Sequence, residues 1–140
     1  MLIGGDQTWG TKGNYGINSE TDFIDTIDNQ DLIFKRGNVQ AGLLSSISTY
    51  NTSFGVGSYK GTPKGAYAGR WNTAIGYYAL AGKDGSVIGH DNTAIRANAL
   101  VKNYKGENNV AIGSASLYYN TSGSIRCVLA IKKLLLYMVK

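Results

Sequence analysis

The stretch Asn72-Thr-Ala-Ile-Gly-Tyr-Tyr-Ala-Leu80 decides the fold, because the chain repeats it. The related segments are Asn51-Thr-Ser-Phe-Gly-Val-Gly-Ser-Tyr59, Asn92-Thr-Ala-Ile-Arg-Ala-Asn-Ala-Leu100 and Asn109-Val-Ala-Ile-Gly-Ser-Ala-Ser-Leu117. They share Asn-[Thr/Val]-[Ala/Ser]-[Ile/Phe]-Gly-x-x-[Ala/Ser]-Leu and start 21, 20 and 17 residues apart. Self-similarity at this spacing marks a stacked repeat, in which one unit cannot bury its apolar face alone and its neighbours supply the cover. The expected fold class is all-β, a solenoid of short stacked coils. The alternative is an ordinary β-sandwich whose strands look alike.

Each copy has a strand-like reading. Successive side chains of a strand point to opposite faces. Thr73 and Ile75 then share one face and Ala74 lies on the other, with the same split for Thr93 and Ile95 against Ala94, and for Val110 and Ile112 against Ala111. The larger face is expected to stack on its equivalents one coil above and below. The small face, Ala and Ser, is expected to point outward and let other chains approach closely, supplying the burial a thin core lacks. Gly55, Gly76 and Gly113 recur where a sharp turn with positive φ is expected. Arg96 stands in their place in one copy, so that turn is expected to be of another type or strained. The leading residues Asn51, Asn72, Asn92 and Asn109 either form side-chain ladders between coils or cap the preceding turn.

Outside the array the pattern changes. Residues 1–48 read as a β lead-in segment, residues 49–124 as the repeat array, and residues 125–140 as a divergent tail. Where a fifth copy is due, the chain reads Ile125-Arg-Cys-Val-Leu-Ala-Ile-Lys-Lys-Leu-Leu-Leu-Tyr-Met-Val-Lys140. We read this as a cap over the open end of the last coil, or as the product of a slipped reading frame or a truncated array. Val128, Ile131, Leu134, Leu135 and Met138 also fall at helix-like spacing, so a basic amphipathic helix is a further reading.

Composition narrows the class. Gly accounts for 19 of 140 residues, Tyr for 10, Pro for 1, and charged residues for only 16%. This suits short strands and many tight turns better than helices. The net charge is +5, but the tail alone holds Arg126, Lys132, Lys133 and Lys140 with no acid, which leaves the rest close to neutral. A basic stripe along the fold is missing, so nucleic-acid binding is not expected. Cys127 is the only cysteine, which rules out an intrachain disulfide and a multi-cysteine metal site. The start, MLIGGDQTWG, lacks the basic and apolar regions of a signal peptide, and no run is long enough for a membrane span.

Chemical sites are sparse. His90 is the only histidine, and Asp91 or Ser86 could be placed beside it in a triad, but a turn residue in Gly89-His-Asp-Asn92 is the better reading. Asp22, Asp25, Asp28 and Asp31 are spaced by three, yet the interleaved Phe23, Ile24 and Ile27 point to a strand with solvated carboxylates rather than a calcium loop. Gly55-Val-Gly-Ser-Tyr-Lys60 lacks the Gly-Lys-Ser/Thr of a phosphate loop. No catalytic residue, metal site or cofactor is expected. The best binding candidates are the aromatics Trp71, Tyr77, Tyr78, Tyr104 and Tyr118, with Tyr59, Tyr67 and Tyr119, which cluster at repeat edges and connections. Such side chains suit sugar stacking or protein contact, or alternatively wedge between coils or chains.

The Asn-[Thr/Val]-Ala-Ile-Gly-x-x-[Ala/Ser]-Leu copies resemble the head repeats of trimeric autotransporter adhesins. They are more similar still to repeat arrays of phage tail-fibre-like and bacterial surface proteins. Trp9-Gly-Thr-Lys-Gly-Asn-Tyr-Gly16, Phe23-Ile-Asp-Thr-Ile-Asp28 and Asp31-Leu-Ile-Phe-Lys35 resemble the lead-in that precedes such arrays, although Asp25 and Ile27 stand where it usually has Gly and Thr. The resemblance spans roughly residues 7–124. It implies a left-handed parallel β-roll with three chains side by side, in an extracellular, cell-surface or virion setting. A rigid fibre or adhesin segment is the implied function, and the alternative is direct recognition of a glycan or protein receptor through the loop aromatics. Related fibres often end in a self-cleaving chaperone domain, for which this chain has no room.

Overall fold

The computed structural model describes residues 28, 30–45, 49–59, 69–82 and 87–129. Within them run β1 (Leu32–Arg36), β2 (Val39–Leu44), β3 (Thr52–Phe54), β4 (Thr73–Ile75), β5 (Thr93–Ile95), β6 (Val110–Ile112) and β7 (Cys127–Leu129), and no helix. All seven form one sheet in chain order. From β3 onward every pairing is parallel and in repeat register, with Ala74 opposite Ala94 and Ala94 opposite Ala111. Parallel neighbours need a crossover, and here the crossover is the remainder of each repeat. The fold is therefore a β-solenoid, as the repeat spacing predicts, and not a sandwich.

Both sides of the coil are bonded rung to rung. On the strand side Thr73 N–H donates to the Asn92 carbonyl and Thr93 N–H to that of Asn109. On the return side Tyr59, Leu80 and Leu100 donate to the carbonyls of Ala79, Ala99 and Ser116. Turns join the two sides, with Ala79 N–H bonded to the Gly76 carbonyl and Ser116 N–H to that of Gly113. Where the repeat has Ser, its hydroxyl also bonds that turn carbonyl, at 2.7 Å for Ser58 and 2.8 Å for Ser116.

Burial reverses the expected faces. Ser53, Ala74, Ala94 and Ala111 are fully buried, whereas Phe54 is 42% and Ile75 43% exposed. Leu80 and Leu100, from the return side, fill the interior against Ala74, Ala94, Ala79 and Ala99. With Val87 they supply the large side chains of the interior, which leaves the strand centre to small residues. Ala and Ser therefore face inward, and the β-branched and aromatic residues of the strands face out.

The asparagines resolve as a ladder. Asn51, Asn72, Asn92 and Asn109 are buried. Each side-chain amide donates to the carbonyl of the glycine three residues before the head of the next rung, which is an asparagine or, last, Arg126: Gly69, Gly89, Gly106 and Gly123, at 2.8–3.0 Å. Each Oδ1 accepts the backbone N–H of the next asparagine, or of Arg126 at the last rung, at 2.8–3.2 Å. The side chain thus closes its own coil and sets the next one. These glycines carry a close-approach constraint, since a Cβ on Gly69 would come to 2.5 Å of the Gly89 carbonyl oxygen.

Both ends of the array depart from the repeat. In the lead-in, β1 and β2 form an antiparallel hairpin whose second strand pairs antiparallel with β3. Leu43 of β2 lies opposite Ser53 and is buried, so the hairpin closes the first coil. The lead-in motifs of residues 9–27, including Asp25 and Ile27, lie outside the described residues. At the other end Cys127–Leu129 pairs in register with β6 as a fifth rung. Val128 is therefore a strand residue and does not begin a helix, and the array reaches past residue 124. The remaining tail positions of the helix-like reading lie outside the described residues.

Candidate functional site

The five aromatics singled out by sequence do not converge on one site. Trp71 directly precedes Asn72, with φ 53° and 52% exposure, and its indole meets the His90 ring edge-on, 6.3 Å between centroids. Tyr77 and Tyr78 follow β4 at the other margin of the sheet and contact each other at 4.6 Å between centroids. The Tyr78 ring lies over Gly57 of the preceding coil, where a Cβ would come within 3.0 Å. Tyr104 is half-buried, with Lys105 Nζ 5.6 Å from its ring centre. Tyr118 and Tyr119 share Lys102, whose Nζ stands 5.7 Å and 5.0 Å from the two ring centres.

Tyr59 is no edge aromatic. It is 2% exposed, accepts a bond from the Asn51 amide at 3.0 Å and donates to the Gly69 carbonyl at 2.9 Å. In later coils Asn103 and Asn120 donate to the corresponding Gly106 and Gly123 carbonyls. Tyr59 thus takes the Leu position and reaches the bond that a second asparagine makes elsewhere. Tyr67 lies outside the described residues.

His90 is more than a turn residue. Its Nδ1 is 2.8 Å from Asp91 Oδ2 and its Nε2 is 3.2 Å from Glu107 Oε1. Asp91 is the partner that sequence placed beside it. The second nitrogen meets a carboxylate from the next coil and not a hydroxyl, so the pair lacks the nucleophile of a triad. Ser86 lies outside the described residues. Among the described residues no group of three or more His, Cys, Asp or Glu side chains is placed to hold a metal ion.

The turn column Gly55, Gly76, Arg96, Gly113 shows how one backbone path absorbs an exception. The glycines have φ between 130° and 134°, and Arg96 has φ 86°. The Arg96 turn is retained with altered φ, in the region that L side chains avoid.

The outward sheet face forms two continuous columns. One column reads Phe34, Gly42, Phe54, Ile75, Ile95, Ile112 and Leu129, and its neighbour reads Leu32, Leu44, Thr52, Thr73, Thr93, Val110 and Cys127. Phe34 and Phe54, 5.5 Å apart, cover Gly42, which bridges the hairpin to the first coil. At about 4.8 Å per strand the stripe runs about 29 Å without a charged residue. Sequence reading found its members in Ile75, Ile95 and Ile112 but assigned them to the interior. Among the described residues no helix is long and apolar enough to cross a membrane.

Fold and surface together define a β-solenoid repeat protein with an asparagine-laddered interior and an apolar outer face. Comparison of the chain with known families, with curated proteins and with solved structures gives no match.

Proposed function

We propose that the chain is a rigid structural segment of a fibre or adhesin, working as a homo-oligomer, a trimer, through its outer sheet face. The observation that carries this reading is the unbroken apolar stripe from Phe34 to Leu129. Soluble monomers rarely expose a contiguous apolar face of this length. An Ile or Phe that loses roughly 70 Å² of exposed surface against a partner chain contributes about 2 kcal/mol. Each chain repeats that gain rung by rung, so a straight stack of coils becomes a straight interface. The number three comes from the resemblance to adhesin head repeats. The same resemblance supports a phage tail fibre or bacterial surface setting, where a stiff multi-chain shaft supports attachment.

Sedimentation and native mass measurement test this. The expected mass is three times that of the 15.0 kDa chain. The double substitution Ile75→Lys, Ile95→Lys places charge on the outward face, away from the interior, and should give folded monomers. Cys127 lies in the outward column opposite Val110, so mild oxidation of the assembly should link chains in pairs through it. A monomeric wild-type chain, or an assembly unaffected by the double substitution, overturns the reading.

A further inference from the structure

We propose that the column of residues directly preceding the asparagines is a binding ridge for a neutral saccharide. A pyranose ring would stack on Trp71 and Tyr50, and its hydroxyls would donate to Asp91 and Glu107. The observation that points here is the content of one column of equivalent, outward positions. Tyr50, Trp71, Asp91, Asn108 and Ile125 occupy equivalent places in five successive coils, and all have φ between 52° and 56°. Their backbones are bonded rung to rung: Trp71 N–H to Thr49, Asp91 N–H to Arg70, and Asn108 N–H to the His90 carbonyl. The fold requires a left-handed residue at this point, and Asp and Asn tolerate that conformation best among residues with a side chain.

Tyr50 and Trp71 do not suit it. A large side chain in this region costs on the order of 1–2 kcal/mol. The fold gains little burial in return, since Tyr50 is 55% and Trp71 52% exposed. The buried Leu80 and Leu100 have similar φ, 47° and 50°, so the conformation belongs to the coil; what sets Tyr50 and Trp71 apart is that two aromatics on consecutive rungs stay half-exposed, as a stacking platform needs and a core does not.

The next two rungs supply the polar half of the site. His90 stands between two carboxylates, 2.8 Å from one oxygen of Asp91 and 3.2 Å from one oxygen of Glu107, and edge-on to the Trp71 indole. Among the described residues the second oxygens, Asp91 Oδ1 and Glu107 Oε2, have no hydrogen-bond partner, and a carboxylate accepts readily from a sugar hydroxyl. The two anionic groups select against sialic and uronic acids, whose own carboxylate would be repelled. An apolar ring face against aromatics, with hydroxyls toward fixed acceptors, is the chemistry of neutral hexose recognition. The ridge lies within one chain, so it stands or falls independently of the oligomer.

The test is an array of neutral oligosaccharides (lactose, maltotriose, cellotriose, mannotriose) with sialyllactose beside them, followed by calorimetric titration of the best ligand. At least one neutral saccharide should bind more tightly than sialyllactose. Trp71→Asn installs the residue found at position 108, so the coil keeps its conformation. It should weaken binding about tenfold, the equivalent of one aromatic contact. Glu107→Gln should weaken it too, and Tyr77→Ala, at the opposite margin, should leave it unchanged. Circular dichroism on each variant separates lost binding from lost fold. No binding to any neutral saccharide, a preference for sialyllactose, or undiminished binding by folded Trp71→Asn overturns the proposal.

Discussion

The rung Thr93–Ile95 and the rung Cys127–Leu129 have the same backbone pairing and different contents. Both lie parallel to β6 in the same register. The inner rung has Asn92 at its head, Asp91 before it and Ala94 at its centre, with Asn92 and Ala94 fully buried. The last rung has Arg126 in place of Asn, Ile125 in place of Asp and Val128 in place of Ala. Ile125 is a β-branched residue at φ 56°, an outlier on steric grounds. Val128 is only half-buried and Arg126 is exposed. The last rung is held by what precedes it: Arg126 N–H bonds to Asn109 Oδ1, and Val110 N–H bonds to the Arg126 carbonyl. Backbone pairing thus extends one rung beyond the sequence that justifies it, as expected when stability passes between neighbours.

Substitutions at the asparagine position should separate the two rungs most strongly. Asn92→Ala removes one of two donors from the Gly106 carbonyl, which keeps Asn103, and one from Asn72 Oδ1, which keeps the backbone N–H of residue 92; it leaves the buried Asn109 backbone N–H without its acceptor and the Asn109 amide with one bond fewer. One unsatisfied buried group costs about 1–3 kcal/mol, and the lost second bonds add to it, so the change should cost about 3 kcal/mol. Arg126→Ala leaves the backbone bond to Asn109 in place and should cost under about 0.5 kcal/mol, as surface changes do. Urea unfolding of both variants measures the contrast. Equal effects would mean that the ladder does not stabilise the stack.

The centre of the strand gives a smaller contrast. Ala94→Val adds two methyl groups between closely spaced walls and should cost about 1–3 kcal/mol by overpacking. Val128→Ala makes the reverse change at the equivalent place in the last rung, where the valine is half-buried, and should cost about 1 kcal/mol or less. Thermal unfolding of the two variants checks this. A tolerated valine at position 94 would show that the interior is looser than full burial of Ala94 indicates.

Much of this was legible in the sequence. The copies gave the solenoid, its rungs and its register, because a repeat that stacks in phase must place like on like. The direction of the faces was not legible from alternation. A period of two separates Ala74 from Thr73 and Ile75 but does not say which face is inside, and bulk suggested the wrong one. A signal was present: the centre position holds only Ala or Ser in four copies, and such restriction to small residues is a packing constraint. The glycines three residues ahead of Asn72, Asn92, Asn109 and Arg126 were equally visible as Gly69, Gly89, Gly106 and Gly123, but the motif was read from Asn onward. Tyr59 was misplaced because an aromatic in the Leu position looked like an edge, when its hydroxyl was replacing an interior amide. The ridge of Tyr50, Trp71, Asp91 and Asn108 needed φ values, since sequence gives no reason to compare a Trp with an Asn.

The smallest expected effect concerns the one turn that departs from its column. Gly55, Gly76 and Gly113 have φ near 130°, where glycine pays no steric penalty, and Arg96 sits at 86°. Arg96→Gly should let the turn relax to the φ of its neighbours, releasing about 1–2 kcal/mol of left-handed strain. Glycine also widens the unfolded ensemble, which takes back about 0.5–1 kcal/mol. The net expectation is a gain of about 0.5 kcal/mol, read as a small rise in the urea midpoint at unchanged slope. The reverse change one rung earlier is not symmetrical. A Cβ on Gly76 would stand 2.7 Å from the Arg96 carbonyl carbon, so Gly76→Ala meets backbone that cannot move aside and should destabilise clearly. Should Arg96→Gly prove destabilising, the arginine side chain would have to contribute more across the coil surface than its turn costs, and the column would be set by contacts rather than by φ.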